Sequence, residues 1–305
     1  MWPSVWEKKE FKKMHLPVLK EEAISFLDPK PGESFIDSTF GQGGHALEIL
    51  KKIGPKGKIL GIDRDSELLE NTLVKDERLT LAQGSFEDLK SIAESRGFGK
   101  VSGILMDLGF CTWHLEESGR GFSFLKDEPL DMRYDRKENL NAWKIVNEWE
   151  AGEIERILRD YGEERFAVRI SEKIAEERKA REIKSTFELV KIIGRAVPCW
   201  YCKRKINCAT KTFQALRIAV NRELEILEKA LPQAVDLLEE GGRIVVISFH
   251  SLEDRIVKRF FISESKKEMP LIKILTKKPV APGREEIEKN PKARSAKLRA
   301  AMKIS

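Results

Sequence analysis

The chain has little of what marks secreted or membrane proteins. Its 305 residues include only four cysteines, too few for the disulfide framework of a small secreted protein. No apolar run approaches the ~18 residues of a membrane span. The charged segment Met1–Lys13 lacks the apolar core of a signal peptide, and we find no internal repeat or low-complexity tract. These absences predict a cytoplasmic protein with no membrane partner.

Charged residues are abundant but unevenly placed. The composition is 41% hydrophobic and 35% charged, which suits one large domain with an insertion, or two domains. Two segments, Arg195–Arg217 and Lys289–Ser305, each contain six lysines or arginines and no acid, within a net charge of only +6. Such clusters bind phosphate groups in some proteins and are solvated, flexible stretches in others. The charge pattern alone leaves both interpretations open.

Strands and helices alternate through the first hundred residues, which is typical of a parallel, doubly wound sheet. A helix over Val18–Leu27 comes first, and four strands with three intervening helices follow. The predicted strands are Ser34–Phe40, Lys58–Asp63, Arg78–Gln83 and Val101–Leu108, and the predicted helices are His45–Ile53, Ser66–Val74 and Phe86–Arg96.

This alternation stops after Gly109 and returns near residue 210. Residues 110–136 resemble an irregular loop, and residues 137–194 have helical spacing amid dense charge. We therefore predict a Rossmann-like sheet domain over 1–109 and 210–305, with a mostly helical substrate-recognition domain inserted over 110–209. The later elements are a helix over Thr210–Leu238, a strand over Arg243–Phe249, a helix opening at Ser251 with Asp254 completing its cap, an exposed loop over Pro279–Pro291, and strands over Leu271–Thr276 and Leu298–Ile304.

A glycine-rich turn between two acids is the most informative motif. Asp37 lies in the first strand, Gly41–Gly44 form a tight turn, and Asp63 ends the second strand. Glycines let the backbone approach a ligand closely, and an acid on the second strand can bind ribose hydroxyls. A carboxylate at Asp37 would repel a pyrophosphate but attract an ammonium or sulfonium group. The turn therefore favours S-adenosylmethionine over NAD.

Two further strand ends carry candidate site residues, because ligands of an open α/β sheet lie beyond the carboxyl ends of its strands. Phe86 offers a face for adenine, and an ordinary core aromatic is the alternative. Asp107 is the strongest catalytic candidate, because an acceptor beside an exocyclic N–H can localise the nitrogen lone pair for methyl transfer. The backbone carbonyl of Leu108 could serve instead, and Asp107 could bind the cofactor.

Three longer motifs are far more specific than the glycine turn. They are Arg120–Phe124 with Pro129–Arg133, Ala209–Arg217, and Ile247–Arg255. No generic nucleotide-binding sheet requires these strings. On these motifs the chain closely resembles the bacterial 16S ribosomal RNA cytosine-N4 methyltransferases (the MraW/RsmH family), over nearly its whole length from His15 to Ser295.

The resemblance implies a class I methyltransferase fold with a helical insertion. It implies N4-methylation of a cytidine in the decoding region of 16S rRNA, with the small (30S) ribosomal subunit as partner. It also implies S-adenosylmethionine contacts at Gly43, Gly44, His45, Asp63, Phe86 and Asp107.

One segment departs from the family pattern. Phe110–His114 stands where the family usually has Val-Ser-Ser-Pro-Gln, so His114 occupies a cofactor-contacting glutamine position. A neutral imidazole still offers one donor or one acceptor. We therefore expect His114 to contact the cofactor with altered geometry.

The predicted substrate-binding residues are Arg120, Lys211, Arg217 and His250. For the arginines, including Arg133, the alternative is an ion pair with Asp131, Asp135 or Glu223 that fixes a loop, and for Arg133 we prefer the ion pair. For His250, at a strand end facing the expected pocket, a structural role is the alternative.

The cysteine motif and its aromatic neighbours are less specific. Cys199, Cys202 and Cys208 lack a fourth ligand at suitable spacing, so we predict no metal. Trp200 and Tyr201, between basic residues, suit either stacking on an unpaired base or packing of the insertion. The sequence leaves a homodimer open.

Two other functions compete with rRNA methylation. DNA amino-methyltransferases usually carry Asp/Asn-Pro-Pro-Tyr/Phe at the fourth strand, and Asp107–Phe110 lacks the prolines. A non-catalytic RNA-binding factor would keep a degenerate cofactor site, whereas the glycine turn, Asp63 and Asp107 are all present.

Overall fold

The computed structural model describes residues 17–304, so His15 and Leu16, at the start of the resemblance, lie outside the described residues. The chain divides into two compact units, one ending at Gly109 and resuming at Leu224, the other comprising Phe110–Glu223. In the part of the chain that the structure describes, no helix is long and apolar enough to cross a membrane.

The first unit is built on a seven-stranded sheet. Its strands are β1 (Ser34–Asp37), β2 (Lys58–Asp63), β3 (Leu79–Gln83), β4 (Val101–Asp107), β5 (Leu238–Ser248), β6 (Ile272–Ile274) and β7 (Lys297–Lys303). They are arranged in the order β3-β2-β1-β4-β5-β7-β6. The first five are parallel, and β7 runs antiparallel to β5 and β6. The predicted Rossmann-like sheet is confirmed, with an antiparallel strand inserted near one edge.

Alternating side chains of the central strands fill two apolar layers, one on each face of the sheet. Ile104 and Met106 of β4 belong to one layer, and Leu105 between them belongs to the other. The strands are buried on both faces, which is why their sequences are nearly continuous apolar runs. The helices of this unit are α1 (Lys20–Leu27), α2 (Gly44–Leu50), α3 (Ser66–Glu70), α4 (Leu89–Ser95), α12 (Glu223–Leu237, whose first residue falls in the second unit), α13 (Ser251–Ser265) and α14 (Arg284–Lys289).

The second unit is helical and has its own core. Its helices are α5 (Thr112–Glu116), α6 (Ala142–Glu148), α7 (Ala151–Asp160), α8 (Ala167–Ala180), α9 (Thr186–Ala196), α10 (Cys199–Cys202) and α11 (Thr210–Asn221). The unit extends to Glu223 rather than to residue 209, because α11 buries Phe213 and Leu216 in the core of this unit. The long helix predicted over Thr210–Leu238 is two helices, because Arg222 adopts a left-handed conformation (φ 52°) that ends α11.

Several predicted boundaries shift for local reasons. β1 ends at Asp37 rather than Phe40, because the N–H of Phe40 turns to Ile62 O at 2.8 Å. The predicted loop over Pro279–Pro291 contains α14. The cap of α13 uses His250 and Glu253 rather than Ser251 and Asp254.

Close packing of β4 on β1 makes a test of the fold. A Cβ at Gly103 would lie 2.6 Å from Cδ1 of Phe35. We expect Gly103→Ala to lower the free energy of unfolding by about 1–3 kcal/mol through overpacking, measured by urea unfolding. A Cβ at Gly99 meets no atom within 4 Å, so Gly99→Ala is the control. Equal effects of the two substitutions would contradict the packing described.

Candidate functional site

The glycine turn after β1 is fastened to β2 by Asp63. Asp63 Oδ2 accepts the N–H of Gly41 at 2.7 Å, and its Oδ1 accepts the N–H of Asp65 at 2.9 Å. Gly43 has φ 79°, and a Cβ there would lie 2.6 Å from the ring of Phe40. The turn therefore needs glycine at this position. The carboxylate predicted to bind ribose also holds the turn in place.

Three polar side chains lie together beside this turn, two of them buried and one partly exposed, and we call them the Asp37–His45–Asp107 cluster. Asp37 is 1% exposed and His45 is 5% exposed. His45 Nε2 lies 3.5 Å from Asp107 Oδ2, which is ion-pair distance but long for a hydrogen bond. The backbone N–H of Asp107 donates to Thr39 Oγ1 at 2.6 Å. The ends of β1 and β4 are thus tied together around the cluster.

Polar atoms of the cluster lack hydrogen-bond partners. Both ring nitrogens of His45 and Oδ1 of Asp107 are buried with no partner in the structure. Buried polar atoms are nearly always satisfied in native proteins, and those that are not mark sites that take up water or a ligand. The cluster therefore offers donor and acceptor atoms to a polar ligand at the carboxyl ends of β1 and β4.

Burial shifts the titration of the cluster. Burial raises the pKa of Asp37 to about 7, and the attraction of His45 only partly offsets it. For His45, burial lowers the pKa and the carboxylates of Asp107 and Asp37 raise it, and the carboxylates prevail, so the pKa is raised. Two carboxylates share one imidazole in this buried space. Such a site attracts a cationic ligand.

Phe86 opens a short 3₁₀ turn (Phe86–Asp88) after β3. Its ring is partly buried against the core layer that contains Leu89. Both interpretations of Phe86 are compatible with this position, so adenine stacking remains a prediction.

His250 has a defined structural role as the N-cap of α13. Its Nδ1 accepts the N–H of Glu253 at 3.4 Å, while Glu253 Oε2 accepts the N–H groups of His250 and Phe249. His250 also lines a cavity of about 370 Å³ together with Arg294 and Lys297. Its predicted substrate contact remains a prediction. Asp254, expected in the cap, instead pairs with Arg299 at 2.7 Å.

Arg120, expected to contact substrate, is held inside the second unit. It is 2% exposed, and its Nη1 donates to the carbonyls of Arg133 (3.2 Å) and Tyr134 (3.0 Å). Arg120 braces the loop that contains Arg133, and Arg133 forms the expected ion pair with Asp131 at 2.6 Å. The predicted contact of Arg120 with substrate remains a prediction.

Arg217 and Lys211 differ in accessibility. Arg217 is 8% exposed and pairs with both carboxylate oxygens of Glu223, at 2.8 and 2.9 Å. Arg217 therefore forms the ion pair that was its alternative, and its predicted substrate contact remains a prediction. Lys211 is only partly buried, and its Nζ donates to the carbonyl of Glu163 at 2.5 Å. Its contact with RNA remains a prediction.

His114 lies in an aromatic cluster of the second unit. Its ring centroid is 5.0 Å from those of Phe122 and Tyr134, and Nδ1 accepts the N–H of Cys111 at 3.3 Å. These contacts give His114 a packing and capping role in α5. Its predicted contact with the cofactor remains a prediction.

Two of the three neighbouring cysteines are paired. Cys202 and Cys208 form a disulfide with a Cα–Cα distance of 4.8 Å, while Cys199 is an exposed free thiol. Sequence spacing gave no signal for this pair, because a separation of six residues suits many arrangements. The hydroxyl of Thr39 was also not selected from the sequence. The one signal for it is its position just after β1.

Five parallel strands in the order β3-β2-β1-β4-β5, with a glycine turn after β1 and acids at the ends of β1, β2 and β4, are arranged as in the class I S-adenosylmethionine-dependent methyltransferases. A model of the MraW methylase family matches residues 12–304. The chain belongs to this family. Its cofactor is S-adenosylmethionine, a cation whose charge suits the carboxylates of the cluster.

Curated relatives match nearly the full length. The chain is 45% identical to ribosomal RNA small subunit methyltransferase H of Clostridium botulinum, covering 97% of this chain and 100% of that protein. It is 47% identical to the protein of the same name from Persephonella marina, covering 95% and 99%. A solved rRNA methylase from Streptococcus thermophilus is 10% identical with a TM-score of 0.43, covering 94% of each chain.

The raised pKa of Asp37 predicts a pH-dependent stability. Between about pH 4 and pH 7 the folded protein retains a proton that the unfolded chain releases, because the pKa rises from 3.8 to about 7 on folding. This stabilisation is complete below pH 4 and is lost as the pH rises through 7. Asp37→Asn carries no such proton. We therefore expect the melting temperature of Asp37→Asn, relative to wild type, to increase from pH 5 to pH 8.

The control for this experiment is Asp76→Asn, whose carboxyl has its pKa lowered mainly by the hydrogen bond from Arg78. Asp76 is ionised in both states above pH 5, so its melting-temperature difference should stay constant between pH 5 and pH 8. A constant difference for Asp37→Asn as well would contradict the buried, proton-holding state of Asp37.

Proposed function

We propose that the protein transfers the methyl group of S-adenosylmethionine to N4 of a cytidine in the decoding region of 16S rRNA. The names of the curated relatives support a small-subunit rRNA substrate. The proposed partner is the assembled 30S subunit, and the proposed location is the cytoplasm. The observation that carries the proposal is the buried, unpartnered Oδ1 of Asp107 in the same cluster as the cofactor-binding residues.

Methylation of an exocyclic amine needs an acceptor at the reacting nitrogen. The lone pair of cytosine N4 is delocalised into the ring, so the amine is a weak nucleophile. A carboxylate that accepts an N–H of this amine localises the lone pair and aims it. Asp107 supplies an acceptor with 21% side-chain exposure, open enough to meet a base and buried enough to be held in place.

The other residues of the first unit would hold the cofactor. When bound, S-adenosylmethionine supplies an electrophilic methyl group on a sulfonium. Asp37 would attract its cationic groups, Asp63 its ribose hydroxyls, and the backbone of Gly43 and Gly44 would border it. His45 would donate or accept one hydrogen bond. Its position beside both carboxylates would also offset the repulsion between them.

The RNA would be held by basic surface. Arg294 and Lys297 line the cavity beside the N-terminus of α13, where a helix dipole also favours a phosphate. The exposed lysines and arginine of segment 203–207 in the second unit would add further phosphate contacts. A target cytidine in folded RNA has to be unstacked before it enters such a site.

The direct test uses 30S subunits purified from a strain that lacks the gene. We expect incubation with the protein and labelled S-adenosylmethionine to yield N4-methylcytidine in 16S rRNA, identified by nucleoside analysis. For Asp107→Asn we expect kcat to fall at least about 100-fold, because the uncharged amide is a weaker acceptor than the carboxylate. Asp88→Asn, the same change at an exposed carboxylate of the same unit, should retain wild-type kcat.

Three results would replace the proposal. Labelled methyl in duplex DNA but not in rRNA would indicate a DNA amino-methyltransferase. Failure of calorimetry to detect S-adenosylmethionine binding would indicate a non-catalytic RNA-binding factor. Wild-type activity in Asp107→Asn would remove Asp107 from the reaction. Light scattering of the purified protein tests the homodimer separately.

A further inference from the structure

Arginines and aromatic rings are interleaved on the second unit, and we call Arg165, Phe166, Arg169, Trp200 and Arg204 the arginine–aromatic surface. The guanidinium carbon of Arg165 lies 5.0 Å from the ring centre of Phe166 and 5.1 Å from that of Trp200. Arg169 lies 5.9 Å from the Phe166 ring, and Arg204 lies 5.1 Å from the ring of Tyr201. Trp200 is 51% exposed, although large aromatic side chains are usually buried.

The buried side chain of Tyr201 supports the rings of Phe166 and Trp200. Phe166 and Trp200 both meet Tyr201 edge to face, at 4.9 and 5.8 Å. Tyr201 is buried, and its hydroxyl donates to Glu164 Oε2 at 2.8 Å. The other oxygen of Glu164 accepts the N–H of Phe166 at 2.9 Å. The exposed indole of Trp200 is therefore held in a fixed position.

Positive charge surrounds the indole without being neutralised. Glu164, the acid nearest in sequence to Arg165, is 3% exposed and points inward to Tyr201. Among residues 17–304, no carboxylate forms an ion pair with Arg165, Arg169 or Arg204. The exposed segment 203–207 adds Lys203 and Lys205, and the Cys202–Cys208 disulfide closes this segment into a short loop.

We propose that the arginine–aromatic surface binds an unpaired stretch of the RNA substrate, with one base stacked on Trp200 and the adjoining phosphates on Arg165, Arg169 and Arg204. The identity of the RNA rests on the proposed function. A flat, exposed ring amid unpaired guanidinium groups is the combination that single-stranded nucleic acids bind, through stacking and phosphate contacts together. A protein partner would have to supply acidic side chains to pair with these arginines. A single-stranded RNA supplies phosphates for the arginines and a base for the exposed ring.

Two measurements test this. The first is the affinity for a single-stranded oligoribonucleotide, together with quenching of tryptophan fluorescence. The second is KM and kcat for 30S subunits at saturating S-adenosylmethionine. Trp200→Ala should weaken RNA affinity and raise KM roughly tenfold, within the range of one base–aromatic stack, and leave kcat unchanged. Trp200→Phe should keep most of the affinity and lose the quenching, a signature that a merely structural role would not produce.

The contribution of the arginines is measured separately, through the salt dependence of RNA affinity. Arg165→Ala with Arg169→Ala should reduce the slope of log affinity against log salt by about 1.4, which corresponds to two phosphate contacts on a single strand. Lys179→Ala removes one charge about 15 Å away at the far end of α8 and should leave the slope unchanged. Phe187→Ala, an aromatic that is 39% exposed at the start of α9, should leave affinity unchanged.

The outcomes separate this inference from the proposed function. If wild type methylates 30S subunits but Trp200→Ala has wild-type RNA affinity and KM, the inference is overturned and the function stands. If Trp200→Ala raises KM for 30S subunits and leaves oligoribonucleotide affinity unchanged, the surface contacts a ribosomal protein and the inference is again overturned. If 30S subunits are not methylated but RNA affinity depends on Trp200, the function fails and the inference stands.

Discussion

The burial of Asp37 beside His45 and Asp107 is the constraint on which the site depends. Placing two carboxylates and one imidazole in a dry space costs free energy unless a ligand or protons balance the charge. Here the pKa of Asp37 rises to about 7 because burial disfavours its charged form. A cationic cofactor bound at the cluster would relieve this cost. The proposed site would therefore select its ligand first by charge.

The sheet supplies the geometry that the cluster requires. Parallel pairing aligns Asp37 of β1 with Leu105 of β4, so Asp107 emerges just beyond it at the same edge. Thr39 fixes this edge by accepting the N–H of Asp107, and Asp63 fixes the glycine turn. Thr39 and Asp63 each accept a backbone N–H. Their remaining acceptor capacity would be available to a ligand.

The sequence predicts the sheet well and the second unit less well, for physical reasons. Long apolar strands and glycine turns are local signals, so β2 and the positions of Asp37 and Asp63 on either side of the turn could be predicted from neighbouring residues. Arg120 and Arg217 look like surface cations in sequence, yet the fold buries both. Arg120 donates to the carbonyls of Arg133 and Tyr134, and Arg217 pairs with Glu223. The break at Arg222 depends on a left-handed residue without glycine, which propensities do not anticipate.

The most direct test of the central claim is the number of protons released when S-adenosylmethionine binds. Calorimetry at pH 6, in buffers of different ionisation enthalpy, measures this number. The account predicts release of close to one proton, because a cationic ligand drives Asp37 to ionise, and it predicts a smaller release for Asp37→Asn. A binding enthalpy that is independent of the buffer, or a release unchanged in Asp37→Asn, would contradict the account.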